Sequence, residues 1–193
     1  IDAFPKCVTR AAFICCNTYT TPENSLDVGP INDAITVASY MKKIGFTIFY
    51  LHNPKSSEFT KYFKNFIQKT AEYLVIYYTG HGANVDDKLD GTDFKGEALI
   101  FDDSYLFSDK LTDIIIHSGK PPISKVCLIT DCCHSNPVYN FKEVESKGKK
   151  LPSNVLSFTT FRSSQNAKQT SVGGTDYGVF TFYFYKLLSQ DDS

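Results

Sequence analysis

Two short motifs in this sequence carry reactive side chains where a chain is expected to turn. His81 stands between glycines in Thr79-Gly80-His81-Gly82, and Cys133 stands in Asp131-Cys132-Cys133-His134-Ser135. A thiol is a weak nucleophile until it loses its proton, and a free Cys has a pKa near ~8.5. A neighbouring imidazole can take that proton and later give one to a leaving amine, which is the chemistry of a thiol hydrolase. Glycine lets backbone approach a substrate closely. The Gly82 N–H, with the Cys133 N–H as second donor, is therefore suited to hold the oxyanion of a tetrahedral intermediate. Asp131 stands two residues before the thiol, where a carboxylate would raise the thiol pKa unless it faced a cation. The Arg or Lys side chain of a substrate is such a cation. A zinc site from His81, Cys132, Cys133 and His134 is disfavoured, because structural zinc pairs place about two to four residues between their cysteines and here there are none.

The elements that must bring these motifs together alternate between strand and helix. Ala11–Cys16, Phe46–Leu51, Tyr73–Tyr78, Ala98–Phe101, Val126–Thr130 and Val155–Phe161 read as strands. Pro30 is placed to open a helix whose apolar stripe is Ile31, Ala34, Ile35, Ala38 and Met41, with Gly45 as its stop. Ser57 is a candidate cap for a helix presenting Phe59, Phe63, Phe66 and Ile67. Ser108 is a candidate cap for another helix, ending near Gly119. A polar, acidic loop is expected from Gly82 to Gly96, an exposed loop from Asn136 to Pro152, and a Ser/Gln/Gly-rich loop before a final helix over Val179–Leu188. This alternation predicts an α/β fold with a largely parallel central sheet flanked by helices on both faces. In such sheets the cleft lies beyond the carboxyl ends of the strands. If the strands ending at Tyr78 and Thr130 are parallel neighbours, His81 and Cys133 emerge side by side.

The 193 residues fit one domain, and 42% apolar residues suffice for a substantial core, in which most of the 16 Phe and 12 Tyr are expected. A formal charge of −1 gives no basic field for nucleic acid. Two of the six cysteines' groupings, Cys15–Cys16 and Cys132–Cys133, are adjacent pairs in strand-like runs, which suits free thiols in a reducing, cytoplasmic compartment better than a disulfide scaffold. No stretch is apolar for long enough to span a membrane. The start, Ile1-Asp2-Ala3, lacks Met and signal-peptide features and suggests an excised domain.

At Tyr78-Thr79-Gly80-His81-Gly82 and Asp131-Cys132-Cys133-His134-Ser135 the sequence resembles the metacaspases, relatives of the caspases. His81 precedes Cys133 by roughly 50 residues, the kind of spacing caspases use. Leu26-Asp27-Val28-Gly29-Pro30-Ile31-Asn32-Asp33 resembles the segment after the family's first strand, and Gly178-Val179-Phe180-Thr181 the start of its last core helix. The resemblance spans nearly the whole chain. It implies a caspase-like fold over 1–193, with a large-subunit-like part to about 140, an exposed loop near 136–152 and a small-subunit-like part over 153–193.

The resemblance also implies roles. Cys133, the second cysteine of the pair, is the nucleophile and His81 its partner. Asp33 and Asp131 form an acidic specificity pocket with Thr79 on its wall, so polypeptides are cut after Arg or Lys. No cofactor enters the chemical step, although calcium activates many members. The matched calcium positions are Glu97, Ser108, Asp109 and Asn140, of which only Glu97 and Asp109 bring carboxylates, and hard calcium sites need several anionic oxygens. Lys147, Lys149 and Lys150 mark a candidate self-processing site in a zymogen, and a monomer is expected. The alternatives are a catalytically silent scaffold of the same fold and a calcium-independent, paracaspase-like protease.

Overall fold

The fold was obtained as a computed structural model that describes residues 8–89, 92–117, 124–132, 154–159, 169–172 and 175–178. In chain order the elements are β1 (Val8–Cys16), a 3-10 turn (Pro22–Asn24), α1 (Gly29–Lys43), β2 (Thr47–His52), α2 (Ser56–Lys69), β3 (Thr70–Gly80), β4 (Gly82–Leu89), β5 (Thr92–Ile100), β6 (Tyr105–Phe107), α3 (Ser108–Ile116), β7 (Lys125–Cys132), β8 (Val155–Thr159), β9 (Gln169–Val172) and β10 (Thr175–Gly178). Five strands form the main sheet in the order β2-β1-β3-β7-β8, and every pairing within it is parallel.

A parallel sheet is covered on both faces, so its strands read as continuous apolar runs. Residues Ala11 to Cys16 of β1 are all buried for this reason. Side chains alternate across the sheet. Phe13, Cys15, Leu74, Ile76, Tyr78, Leu128 and Cys132 face α2 and α3, where Phe13 stacks on Phe59 and Phe66 at 5.5 and 4.8 Å between ring centroids. Ile14, Cys16, Tyr77 and Ile129 face α1, meeting Ala34, Val37 and Met41. Among the described residues no helix is long and apolar enough to cross a membrane.

The structure departs from the sequence expectations in several places. Ile35 is 56% exposed, because the buried stripe of α1 runs through Pro30, Asp33, Ala34, Val37 and Met41 and includes a carboxylate. Ser57 lies inside α2 and caps nothing; the helix opens after Lys55, and the Asp103 carboxylate, from another loop, accepts the Ser56 N–H at 2.8 Å. Ser108 is likewise the first residue of α3 rather than a cap, and it is buried. The expected acidic loop is an antiparallel hairpin of β4 and β5 that continues into β6. Antiparallel ladders tolerate polar strands, so the polarity of this segment does not prevent its pairing. A second hairpin, β9–β10, replaces part of the expected Ser/Gln/Gly-rich loop. The expected helix over Val179–Leu188 lies outside the described residues.

Candidate active site

β3 and β7 run longer than expected, to Gly80 and Cys132, and those two terminal residues are register partners. His81 follows at once. It stands at the joint where the chain leaves the main sheet and enters β4 of the three-stranded sheet. Its backbone is held from three sides: its N–H donates to the Tyr19 phenol oxygen at 2.5 Å, and its carbonyl accepts from the Tyr78 hydroxyl at 2.8 Å and the Ile100 N–H at 3.1 Å. Its ring is half-buried and stacks on Tyr19 at 4.7 Å.

The imidazole Nε2 lies 2.9 Å from the Asn24 carbonyl oxygen. A carbonyl can only accept, so Nε2 carries the hydrogen. In the neutral ring, Nδ1 therefore keeps the lone pair and is the nitrogen able to take a proton. Asn24 escapes sequence reasoning because only its backbone takes part, and any residue type supplies a carbonyl.

Gly82 pairs with Leu99, and the Ile100 N–H bonds the His81 carbonyl. That pattern makes Gly82 and Leu99 a non-hydrogen-bonded pair, so the Gly82 N–H points away from β5.

Gly80 is required by close approach. A Cβ there would lie 2.8 Å from the Tyr19 hydroxyl and 3.0 Å from both Asn17 Cβ and the Tyr78 hydroxyl, at a φ of +156°. Neither phenol has room to retreat, since both are buried. We expect Gly80→Ala to cost about 1–3 kcal/mol, read as a lower midpoint in urea denaturation. A midpoint equal to wild type would mean that the tyrosine cluster yields freely.

The three residues expected to read a basic side chain sit on one face at the carboxyl end of the sheet. Tyr77 and Ile129 pack toward α1. Two residues further along the same strands come Thr79 and Asp131, which are register partners and therefore share that face. Cys16 is the partner of Thr79 on the other side. Asp33 lies on the buried stripe of α1, close enough that its charge helps raise the Cys16 thiol. Asp33, Thr79 and Asp131 are all buried, at 3, 3 and 7% exposure. Burial above all pushes Cys16 up to about 11, while a hydrogen bond with Tyr50 works the other way. Cys16 and Tyr50 were not singled out from the sequence. Their apolar neighbours gave no hint that they border this row.

Cys132 is buried in the core against α2 and α3, as expected for the packing member of its pair. Cys15, Cys16 and Cys127 are free thiols. Desolvation raises Cys127 to about 11 and Cys15 further still. Cys133, the expected nucleophile and second oxyanion donor, lies outside the described residues, as do His134, Asn140 and the candidate processing residues Lys147, Lys149 and Lys150.

Of the calcium candidates, Glu97 is buried in β5 and Asp109 is exposed in the first turn of α3. Because Ala98 pairs with Phe107, Glu97 stands beside the start of α3, where a carboxylate is favoured by the helix dipole. Among the described residues no group of three or more His, Cys, Asp or Glu is arranged to hold a metal.

A family model described as Caspase domain matches residues 9–193. No curated protein sequence matches. Among solved structures, a Geobacter sulfurreducens protein superposes with a TM-score of 0.68 at 17% identity, covering 97% of this chain and 83% of that one. Caspase-1 from Spodoptera frugiperda gives 0.69 at 14% identity over 95% and 71% of the two chains. The structure of pro-sf-caspase-1 gives 0.64 at 15% identity, covering 95% and 73%. These likenesses establish a caspase-like fold, and with the family match running across almost the whole sequence, the chain belongs to the caspase-domain family of cysteine-type peptidases.

Proposed function

We propose that this protein is a metacaspase-type endopeptidase that cleaves polypeptides after Arg or Lys, with Cys133 as nucleophile and His81 as acid–base partner. The observation that carries the reading is the register pairing Gly80 with Cys132 on neighbouring parallel strands. His81 follows the first of these in sequence and Cys133 follows the second.

In this mechanism His81 Nδ1 takes the proton of the Cys133 thiol, while Nε2–H remains bonded to the Asn24 carbonyl, which steadies the imidazolium as it forms. The thiolate attacks the scissile carbonyl, and the developing oxyanion is met by the Gly82 and Cys133 N–H groups. The imidazolium then gives its proton to the leaving amine. Water, deprotonated by the same nitrogen, hydrolyses the thioester. Proton transfer and covalent catalysis complete the cycle, so the step as written calls for no metal or cofactor.

The preference for a basic residue is supported by Asp33 and Asp131, two buried carboxylates on the α1 face. Buried carboxylates are retained where a cation or strong donors face them, and a substrate Arg suits such a site because its fork of N–H donors matches carboxylate geometry. Self-cleavage at Lys147, Lys149 or Lys150 and action as a monomer belong to the same proposal.

Fluorogenic peptides carrying Arg, Lys or Asp before the scissile bond test the reading, each with and without calcium. Cleavage after Arg and Lys but not Asp is expected. A preference for Asp would overturn the pocket assignment, and rates independent of calcium would favour the paracaspase-like scheme of control.

A further inference from the structure

We propose that Tyr19 is a positioning residue for His81; the proposal rests on the reading of His81 as the acid–base group. Tyr19 meets the histidine twice. Its phenol oxygen accepts the His81 N–H, and its ring lies 4.7 Å from the imidazole at 29° between planes. The same hydroxyl donates to the Ile100 carbonyl at 3.1 Å, and it stands 3.3 Å from the Tyr78 hydroxyl. Burial raises the phenol well above its ordinary range, so it keeps the proton that this donation needs.

The backbone of Tyr19 is the second observation. Its φ is +65°, a left-handed conformation that bulky residues rarely adopt. Such strain persists where surrounding structure over-determines it, and it gathers at functional sites. The determinant here is Asn53, whose side-chain oxygen accepts both the Thr18 N–H at 2.8 Å and the Tyr19 N–H at 3.2 Å. Asn53 is itself left-handed, at φ +45°, and its N–H donates to the Cys16 carbonyl at 2.9 Å. The loop after β1 is thus bent by the end of β2 so that an aromatic ring turns back onto the end of β3. Five residues after Tyr19, the same loop brings the Asn24 carbonyl to Nε2. One loop therefore holds the imidazole by its face, its ring edge and its backbone. A tyrosine that merely filled the core would need neither the left-handed backbone nor the histidine N–H.

The test uses Tyr19→Phe, which keeps the ring and removes the hydroxyl, together with Asn53→Ala and Asn53→Asp. On an Arg peptide, Tyr19→Phe is expected to lower kcat by about 10- to 100-fold with KM within about twofold of wild type. Asn53→Ala should behave alike, whereas Asn53→Asp, which retains an oxygen acceptor, should restore most of the rate. In parallel, 15N NMR of the imidazole, assigned against His81→Gln, should show one tautomer with Nε2 protonated in wild type and a mixture in Tyr19→Phe. Thermal unfolding confirms that each variant is folded at the assay temperature. A lowered Tm with unchanged kcat, or an unchanged His81 spectrum in Tyr19→Phe, would overturn the proposal. If wild type cleaves no peptide, the protease reading falls, and the NMR comparison still decides whether Tyr19 positions His81. Should Tyr19→Phe fail to fold, the contrast between Asn53→Ala and Asn53→Asp decides it.

Discussion

Replacing His81 by alanine is expected to lower kcat/KM on an Arg peptide by about 10²–10⁴-fold, the usual worth of a positioned acid–base group, and replacing Cys133 by alanine is expected to leave no turnover through the thioester. The His81 side chain is half-buried rather than part of the core, so the urea midpoint of His81→Ala should stay near wild type. The thiols themselves give an independent check. Cys16 and Cys127 are pushed up to about 11 and Cys15 further, so at neutral pH all three are protonated and slow toward an alkylating agent. A thiolate held by an imidazole reacts faster. Iodoacetamide labelling followed by mass mapping should therefore mark Cys133 ahead of those three, and the advantage should vanish in His81→Ala. Equal labelling of Cys133 and Cys127 in wild type would mean that no activated thiol exists and that the chain belongs with the silent scaffolds.

The second large effect is expected at Asp131. Truncating one partner of a buried, hydrogen-bonded charge pair costs about 2–5 kcal/mol. Asp131→Asn, which keeps the shape and removes the charge, should accordingly reduce kcat/KM for an Arg peptide by about 30-fold to a few thousand-fold, the same energies expressed as rates. The loss should appear mainly as a difference between substrates. A peptide with a neutral residue before the scissile bond should lose far less, because it never presented a cation to the pocket. Asp33→Asn should follow the same pattern, since Asp33 belongs to the buried stripe of α1 above the Cys16–Thr79–Asp131 row. Equal losses on Arg and neutral peptides would sink the specificity role and leave both residues as structural acids of the fold.

Much of this site was legible in the sequence because its parts have distinctive local signatures. A histidine between two glycines after an apolar strand marks the joint between β3 and β4, and the Asp-Cys-Cys-His-Ser run begins in the last residues of β7. The parallel pairing of β3 with β7 then follows from the alternation of strands and helices. Other parts were illegible for physical reasons. Asn24 acts through its carbonyl, and Tyr19 through a ring and a hydroxyl that any buried tyrosine possesses. Asn53 acts by bending a loop from another strand. These roles depend on tertiary contacts between segments distant in sequence, such as Thr18 with Asn53 and Tyr19 with Ile100. The β4–β5 hairpin was missed because its polarity was weighed above its pairing. Ser57 is cap-like by type, but the start of its helix is served by the Asp103 carboxylate, which reaches Ser56 from outside the helix; Ser108 is cap-like by type and lies one residue inside its helix.

The central place of β3 has a consequence for the order in which the molecule can become competent. Every support of His81 described above, from Asn24, Tyr19 and Asn53 to Tyr78 and Ile100, precedes α3 in the chain. The strand that leads to Cys133 comes later, and it joins the edge of β3 that β1 leaves open. During synthesis from the N-terminus, the surroundings of His81 are therefore made before β7 has been. In that interval the β3 edge, carrying Leu74 to Tyr78, is a bare apolar strand of the kind that pairs with whatever strand arrives first. The docking of β7 closes that edge and, in the same event, sets Cys132 beside Gly80, so protection from aggregation and the joining of the two motif-bearing strands are one step.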